Sequence, residues 1–272
     1  MSRPIPFVKM AGAGNDFILV DGRRGRALGR APAALAREWC DRKRSVGADG
    51  LLLVQASRRG NARMRIFNPD GSEPTMCGNG LRCVAWYLHS MNGGRRRWTV
   101  ETGAGVMQAQ ITGKEQVRIS FIPPKSLHLG RGVAWRGKRV TVHSVDTGVP
   151  HAVLLVPRLG AVDLGALGPH IRRHRLFKPK GTNVNLLRIH SPHRASIRTY
   201  ERGVEQETLA CGTGTVASVV IGAALGRLKS PVQLTTAGGE KLTVGFHQGR
   251  KPWEGLYLEG PARILFQGGI AR

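Results

Sequence analysis

Acidic residues are scarce in this chain: 17 Asp and Glu stand against 42 Lys and Arg, a formal net charge of +25. Aromatics are scarce too, at 6%, which leaves little for the stacking surface that a single-strand nucleic-acid module needs. The excess is mostly arginine in short runs: Arg23, Arg24 and Arg26; Arg58 and Arg59; Arg95 to Arg97; Arg172, Arg173 and Arg175. No aromatic-rich module is woven through them, so a solvated basic surface is expected and nucleic acid is not an expected partner. What the charge does provide is a favourable field for a dicarboxylate. No apolar run approaches the roughly 18 residues of a membrane span. The opening MSRPIPFVKM lacks the apolar core of a secretory signal, so a cytoplasmic, reducing setting is expected. Four cysteines in 272 residues are not needed as staples at this length. Zinc spacing is missing as well: Cys40 and Cys211 are isolated, Cys77 and Cys83 lie far apart for a ligand pair, and no His pair stands beside them.

What is present is a chain long enough for one large core or two modest ones, with 41% apolar residues. The few acids are concentrated: Asp16, Asp49, Asp70, Glu73, Glu201, Glu205 and Glu207 all fall in glycine-rich stretches. Acids kept where the rest of the chain has few imply placed partners for charges or backbone donors.

The stretch MCGNGLRC, Met76 to Cys83, returns altered as ACGTGTVA from Ala210. Each cysteine is followed by Gly, a small polar residue and Gly, and then by apolar residues at helical spacing: Val84, Ala85 and Leu88 after the first, Val216, Val219, Val220 and Ala223 after the second. Each is read as a thiol seated where a helix begins. The surroundings repeat as well. Gly14 and Gly148, Gly47 and Gly181, Cys77 and Cys211, and Thr102 and Thr236 all stand 134 positions apart. That period is a whole domain, far too long for a solenoid, so the chain is read as two pseudo-symmetric copies of one α+β unit. Strands are expected at Phe7 to Met10, Phe17 to Asp21, Leu51 to Val54, Ala62 to Phe67, Trp98 to Thr102, Val106 to Ile111 and Val117 to Phe121. A helix opened by Pro32 and one over about 78–90 complete the first half. The expected division is 1–122, with 262–272 returning to it, and 123–261. Sites in such pairs lie in the cleft between copies, which would bring the two thiols face to face.

Opposed thiols suit one kind of chemistry. A helix N-terminus carries unpaired N–H groups and about half a positive charge, and it favours thiolate. Gly78 and Asn79 on one side and Gly212 and Thr213 on the other would cradle one carboxylate. Its α-carbon would then present one face to Cys77 and the other to Cys211. One sulfur removes the α-proton as thiolate and the other delivers a proton to the opposite face, as a cofactor-free racemase requires. The cradling N–H groups stabilise the charge that builds on the carboxylate. The coupled thiols would share one proton. Cys83, on an apolar helix face, and Cys40, after Trp39, are read as core.

Taken together and in order, KMAGAGNDF, RSVGADG, FNPDGSEPTMCGNGLRC, GVPHAV, GTNVN and YERGVEQETLACGTG resemble diaminopimelate epimerase, and the resemblance runs from Lys9 to about Gly268. It implies a pyridoxal-independent enzyme that converts LL-2,6-diaminopimelate to the meso isomer, in lysine and peptidoglycan precursor synthesis, with no cofactor and commonly as a homodimer. It implies two similar domains, each a mainly antiparallel sheet wrapped around a central helix, with the strand near Ile264 to Phe266 returning to the first. Cys77 and Cys211 fall where the family's acid/base cysteines lie, and Gly78, Asn79, Gly212 and Thr213 where its carboxylate-binding backbone lies. Asn15, Asn68, Asn183, Glu201 and Arg202 fall where the family holds the distal amino acid end. Arg202 suits a second carboxylate, and Glu201 with three amides suits an ammonium, although each Asn alone fits a turn residue better. His151 falls where the family has a His beside one catalytic cysteine, and alone it fits a satisfied core histidine equally well. Two positions depart: Val149 stands where many members have Asn, and Gly50 where some have Gln. Two rival readings remain, a same-fold racemase of a proline-type substrate and a basic nucleic-acid-binding protein; the pair Glu201 and Arg202 argues against the first.

Overall fold

The computed structural model describes residues 4–23, 25, 30–247 and 253–271; Arg24 and Arg26 of the first basic run lie outside them. The first stretch of chain forms β1 (Ile5–Gly12), β2 (Asn15–Asp21), α1 (Pro32–Trp39), β3 (Gly50–Gln55), β4 (Ala62–Phe67), α2 (Gly78–Met91), β5 (Arg97–Thr102), β6 (Gly105–Gly113) and β7 (Gln116–Ser120). The next forms β8 (Lys125–Trp135), β9 (Lys138–Asp146), β10 (Pro150–Leu155), α3 (Leu164–Arg172), β11 (Asn183–Ser191), β12 (Arg194–Glu201), β13 (Gln206–Thr208), α4 (Gly212–Ala224), β14 (Val232–Thr235) and β15 (Lys241–Gly245). Last come β16 (Tyr257–Pro261) and β17 (Arg263–Ile270). Among the described residues no helix is long and apolar enough to cross a membrane.

Two compact units result, 1–119 with 259–272, and 120–258. In the first, β17 pairs with β1 and β1 with β2, both antiparallel; β2 and β3 are parallel, β3 and β4 antiparallel, β4 and β5 parallel, and β5, β6 and β7 antiparallel in turn. This sheet wraps α2, which touches β1 to β6 and β17. The helix is buried nearly all round, from Asn79 to Ala85 and at Tyr87 and Leu88, as expected of a helix at a core centre. The opposite sheet face is covered by α1, where Leu35, Ala36 and Trp39 pack on Ile18, Val20, Leu51 and Leu53. Burial on both faces explains why β2 and β3 read as unbroken apolar runs, FILV and LLLV, instead of alternating.

The second unit repeats the plan. Strands β8, β9 and β10 are antiparallel in turn, β10 and β11 parallel, β11 and β12 antiparallel, β12 and β14 parallel, and β14 and β15 antiparallel. Here α4 is the central helix, buried from Gly214 to Gly222, and α3 covers the outer face through Leu164, Leu167 and Ile171. The repeat extends to single backbone angles. Gly14 and Gly148 have φ of 90° and 107°, and Gly47 and Gly181 have 72° and 69°, values that L side chains rarely adopt. Ala13 (φ 51°) and Gly14 form the two-residue connection between β1 and β2, as a hairpin with both central residues at positive φ requires.

Candidate active site

Cys77 is the N-cap of α2 and Cys211 the N-cap of α4, with nearly equal backbone angles (φ −141°, ψ 117° and φ −127°, ψ 109°). Gly78 and Asn79, and Gly212 and Thr213, therefore occupy the first two helical positions, whose N–H groups have no intrahelical acceptor. At Cys77 the Gly80 N–H donates to Sγ at 3.4 Å. At Cys211 the Thr213 hydroxyl lies 3.4 Å from Sγ, and Thr147 Oγ1 donates to Thr213 O at 3.1 Å, fixing that turn. Thr215 Oγ1 donates to Cys211 O at 2.8 Å.

Beneath each cap lies a different floor. A Cβ built on Gly80 would press on Leu52 Cδ2 at 2.9 Å, with Ile66 next nearest beyond Cys77 itself, so the Cys77 side rests on an apolar layer. A Cβ built on Gly214 would overlap Asn185 Oδ1 and lie 3.3 Å from Cys211 Sγ, so the second thiol has a buried polar floor. Asn185 Nδ2 donates to Ala152 O at 3.0 Å and to His151 Nδ1 at 3.1 Å, and Asn185 Oδ1 accepts from Thr199 Oγ1 at 2.9 Å. His151 is 0% exposed, and burial pushes its pKa down to about 3, with Arg202 adding to the shift. Its Nε2 has no hydrogen-bond partner among the described residues.

The remaining sequence candidates fall within one unit or the other. In the first, Asn15 Nδ2 donates to Asp49 Oδ2 at 3.0 Å and Asn15 Oδ1 accepts from Asn79 Nδ2 at 2.6 Å, which joins a distal-end candidate to the carboxylate cradle. Asn68 holds a turn, with Nδ2 donating to Ser72 Oγ at 2.9 Å. In the second, Asn183 Oδ1 accepts from the Arg202 N–H at 2.8 Å, and Asn183 Nδ2 donates to Pro150 O at 3.2 Å. One amide thus ties the chain around Arg202 to the start of the His151 strand. Glu201 accepts from Thr208 Oγ1 at 2.9 Å; its desolvation raises the carboxyl above the usual range, against the lowering effect of that bond. The departure at Gly50 has a steric side: a Cβ there would lie 3.0 Å from Phe67 O and 3.5 Å from the Phe17 ring.

The other two thiols are poor nucleophiles. Burial pushes Cys83 up to about 12 and Cys40 up to about 11, and thiolate is the reactive form. Among the described residues no group of three or more His, Cys, Asp or Glu is placed to hold a metal ion. Sequence reasoning missed Asn185, Thr199 and Arg82. The signal for Asn185 was there, an Asn inside the otherwise apolar NVNLL of β11.

The sequence model of the diaminopimelate epimerase family matches residues 7–123 and again 143–265, one match on each repeat. Among curated relatives, the diaminopimelate epimerase of Chlorobaculum tepidum is 42% identical over 265 residues, covering 96% of this chain and 99% of that one. That of Methanocella arvoryzae is 40% identical over 281 residues, covering 98% and 96%. Solved structures with a similar fold include a PhzF-family phenazine biosynthesis protein of Bacillus anthracis, with TM-score 0.78 and 15% identity over all of both chains. A hydroxyproline epimerase of Agrobacterium vitis follows with TM-score 0.71 and 18% identity over 99% and 93%. Its duplicated fold, its matched Cys-Gly-x-Gly helix starts and these near full-length relatives show that the chain belongs to the diaminopimelate epimerase family of isomerases.

Proposed function

We propose that this protein epimerises LL-2,6-diaminopimelate to meso-2,6-diaminopimelate without a cofactor, in the cytoplasmic synthesis of lysine and peptidoglycan precursors, with Cys77 and Cys211 as the two acid/base groups. One observation carries the proposal: two thiols at equivalent N-cap positions of duplicated helices. As thiolate, one sulfur takes the α-proton and leaves both electrons on the α-carbon. The other, as thiol, returns a proton to the opposite face, so stereochemistry inverts and the sulfurs exchange protonation states. Each sulfur is the base in one direction and the acid in the other, which suits a reversible reaction. The developing enediolate takes N–H groups of Gly78, Asn79, Gly212 and Thr213, donors set in place before the reaction.

Substrate choice rests on the far end of the molecule. The Arg202 guanidinium offers paired donors for a second carboxylate, and Glu201 an acceptor for a second ammonium, with Asn15, Asn68 and Asn183 as neutral partners. A proline-type substrate has neither group, and Glu201 would then be a desolvated carboxylate without purpose. His151 acts as a supporting group near Cys211. Homodimer formation is part of the proposal and is supported by β17, where the apolar residues Leu265 and Phe266 are each 50% exposed.

The test is incubation of the reduced protein with LL-diaminopimelate in deuterium oxide, without pyridoxal phosphate. Deuterium at an α-carbon together with meso product is the expected outcome. No α-deuterium in either isomer overturns the activity, and α-deuterium in proline instead favours the rival substrate.

A further inference from the structure

Arg82 stands in the second turn of α2 and is 0% exposed. A guanidinium is costly to bury, and a methionine of similar volume would suit the apolar helix around it. Its bonds show where the charge is directed. Nε donates to Pro261 O at 3.3 Å and Nη2 to Asn79 Oδ1 at 2.7 Å. Asn79 Nδ2 donates to Asn15 Oδ1 at 2.6 Å, and Asn15 Nδ2 to Asp49 Oδ2 at 3.0 Å. Every bond in this series points the same way, from a cation that can only donate to a carboxylate that can only accept. Both amides between them are oriented by the charges at the ends. Asp49 is itself anchored: Oδ2 also accepts from the Asp16 N–H at 3.2 Å, and Oδ1 pairs with Arg42 at 2.7 Å.

We propose that Arg82 and Asp49 are positioning residues that orient the Asn79 and Asn15 amides as one unit, so that the carboxylate cradle at the start of α2 and the distal-end residue Asn15 move together. The proposal rests on the reading that Asn79 and Asn15 meet the two ends of one substrate. Neither Arg82 nor Asp49 touches that substrate. With either end neutralised, the amides lose the field that orients them, and substrate meets a mixture of orientations. The loss appears mainly in KM, since the thiols themselves are unaltered.

The experiment is a double-mutant cycle with Arg82→Met and Asp49→Asn, reading kcat, KM and the urea midpoint. Each single change is expected to lower kcat/KM about tenfold through KM, and the double change to lower it by about the same tenfold in total rather than a hundredfold, because the series is already cut. A double variant down a hundredfold, or an Asp49→Asn protein with unaltered KM, overturns the proposal. Should Arg82→Met fail to fold, Asp49→Asn is read by the side-chain amide resonances of isotopically labelled protein. Altered Asn15 and Asn79 amide signals support the relay, and signals identical to those of the unaltered protein overturn it. Those signals do not depend on turnover. If the unaltered protein places no deuterium in diaminopimelate, the activity reading fails while the relay stands or falls by the amide spectrum.

Discussion

Asn185 fixes the tautomer of His151. Both Nδ2 hydrogens of Asn185 are engaged, one on Ala152 O and one on His151 Nδ1, and its oxygen takes the Thr199 hydroxyl. The Ala152 carbonyl can only accept, so the amide cannot be turned round, and His151 Nδ1 must be the unprotonated nitrogen. Its single proton sits on Nε2. At neutral pH His151 is thus a neutral donor and not a base, so the supporting role proposed for it excludes proton transfer of its own.

Burial of that neutral ring makes stability depend on pH. The unfolded imidazole binds a proton near pH 6.5 and the folded one only near 3, so between these values the unfolded state holds more protons. Stability from this group is complete above pH 6.5 and is lost as pH falls through the window, at about 1.4 kcal/mol per unit. His151→Gln, which keeps an acceptor for Asn185 and cannot titrate, should lose about 2 kcal/mol less than the unaltered protein between pH 7 and pH 5. Urea unfolding at the two pH values measures this, and equal losses in both proteins would contradict a buried neutral ring.

Glu201 runs the opposite way. Its carboxyl is raised by desolvation, so the folded state favours the protonated form and stability falls as pH rises through the unfolded carboxyl pKa. Glu201→Gln should therefore raise the thermal midpoint at pH 7, by about 2–4 °C for each kcal/mol recovered, with the gain disappearing near pH 4. If Glu201 meets the second ammonium as proposed, the same change should raise KM for diaminopimelate at least about tenfold. A protein made less stable at pH 7 would show that Glu201 is held by an internal cation instead.

Much of this was legible in the sequence because duplication leaves two independent records of each constraint. Gly14 and Gly148, or Gly47 and Gly181, recur because both copies need positive φ at the same place, and the Cys-Gly-x-Gly pairs recur because both helices start there. The polar floor under Cys211 had no such record. Its counterpart under Cys77 is Leu52, so comparing the halves gave no hint of Asn185 and Thr199. Helix α3 was equally hidden: LGALGPHIR holds two glycines and an internal proline, each unfavourable in a helix, and it forms because Leu164, Leu167 and Ile171 find an apolar sheet face. Arg82 sat within a recognised motif, three residues after Asn79 on the same helix, but only tertiary contact shows that Asn79 passes the bond on to Asn15.

The exposed apolar residues of β17 yield a prediction about assembly. Leu265 and Phe266 are equally half exposed, but Phe266 also makes an edge-on contact with Phe7, ring centroids 6.0 Å apart. If a second copy covers this strand, Leu265→Lys places an unpaired charge in the interface. Sedimentation should then change from a dimer to a monomer while the circular dichroism stays the same. Unchanged sedimentation would place the dimer contact elsewhere.

The two helix-start glycines should respond unequally to the same substitution. Gly80→Ala meets the end of a flexible leucine, Leu52 Cδ2, at 2.9 Å, and a shift of that side chain relieves it, with a cost of about 1–3 kcal/mol of the kind seen in overpacked cores. Gly214→Ala meets the Asn185 amide oxygen. That amide cannot retreat without giving up Ala152 O, His151 Nδ1 or Thr199 Oγ1, all buried, and each abandoned polar group costs about 1–3 kcal/mol. Gly214→Ala should therefore be the more destabilising, and any folded protein should lose activity further than Gly80→Ala, because Cys211 Sγ lies 3.3 Å from the same new methyl. Urea midpoints and kcat/KM for the two variants decide the matter. Equal losses in both would mean that the Asn185 floor is as yielding as the leucine one, and that the halves differ in composition but not in rigidity.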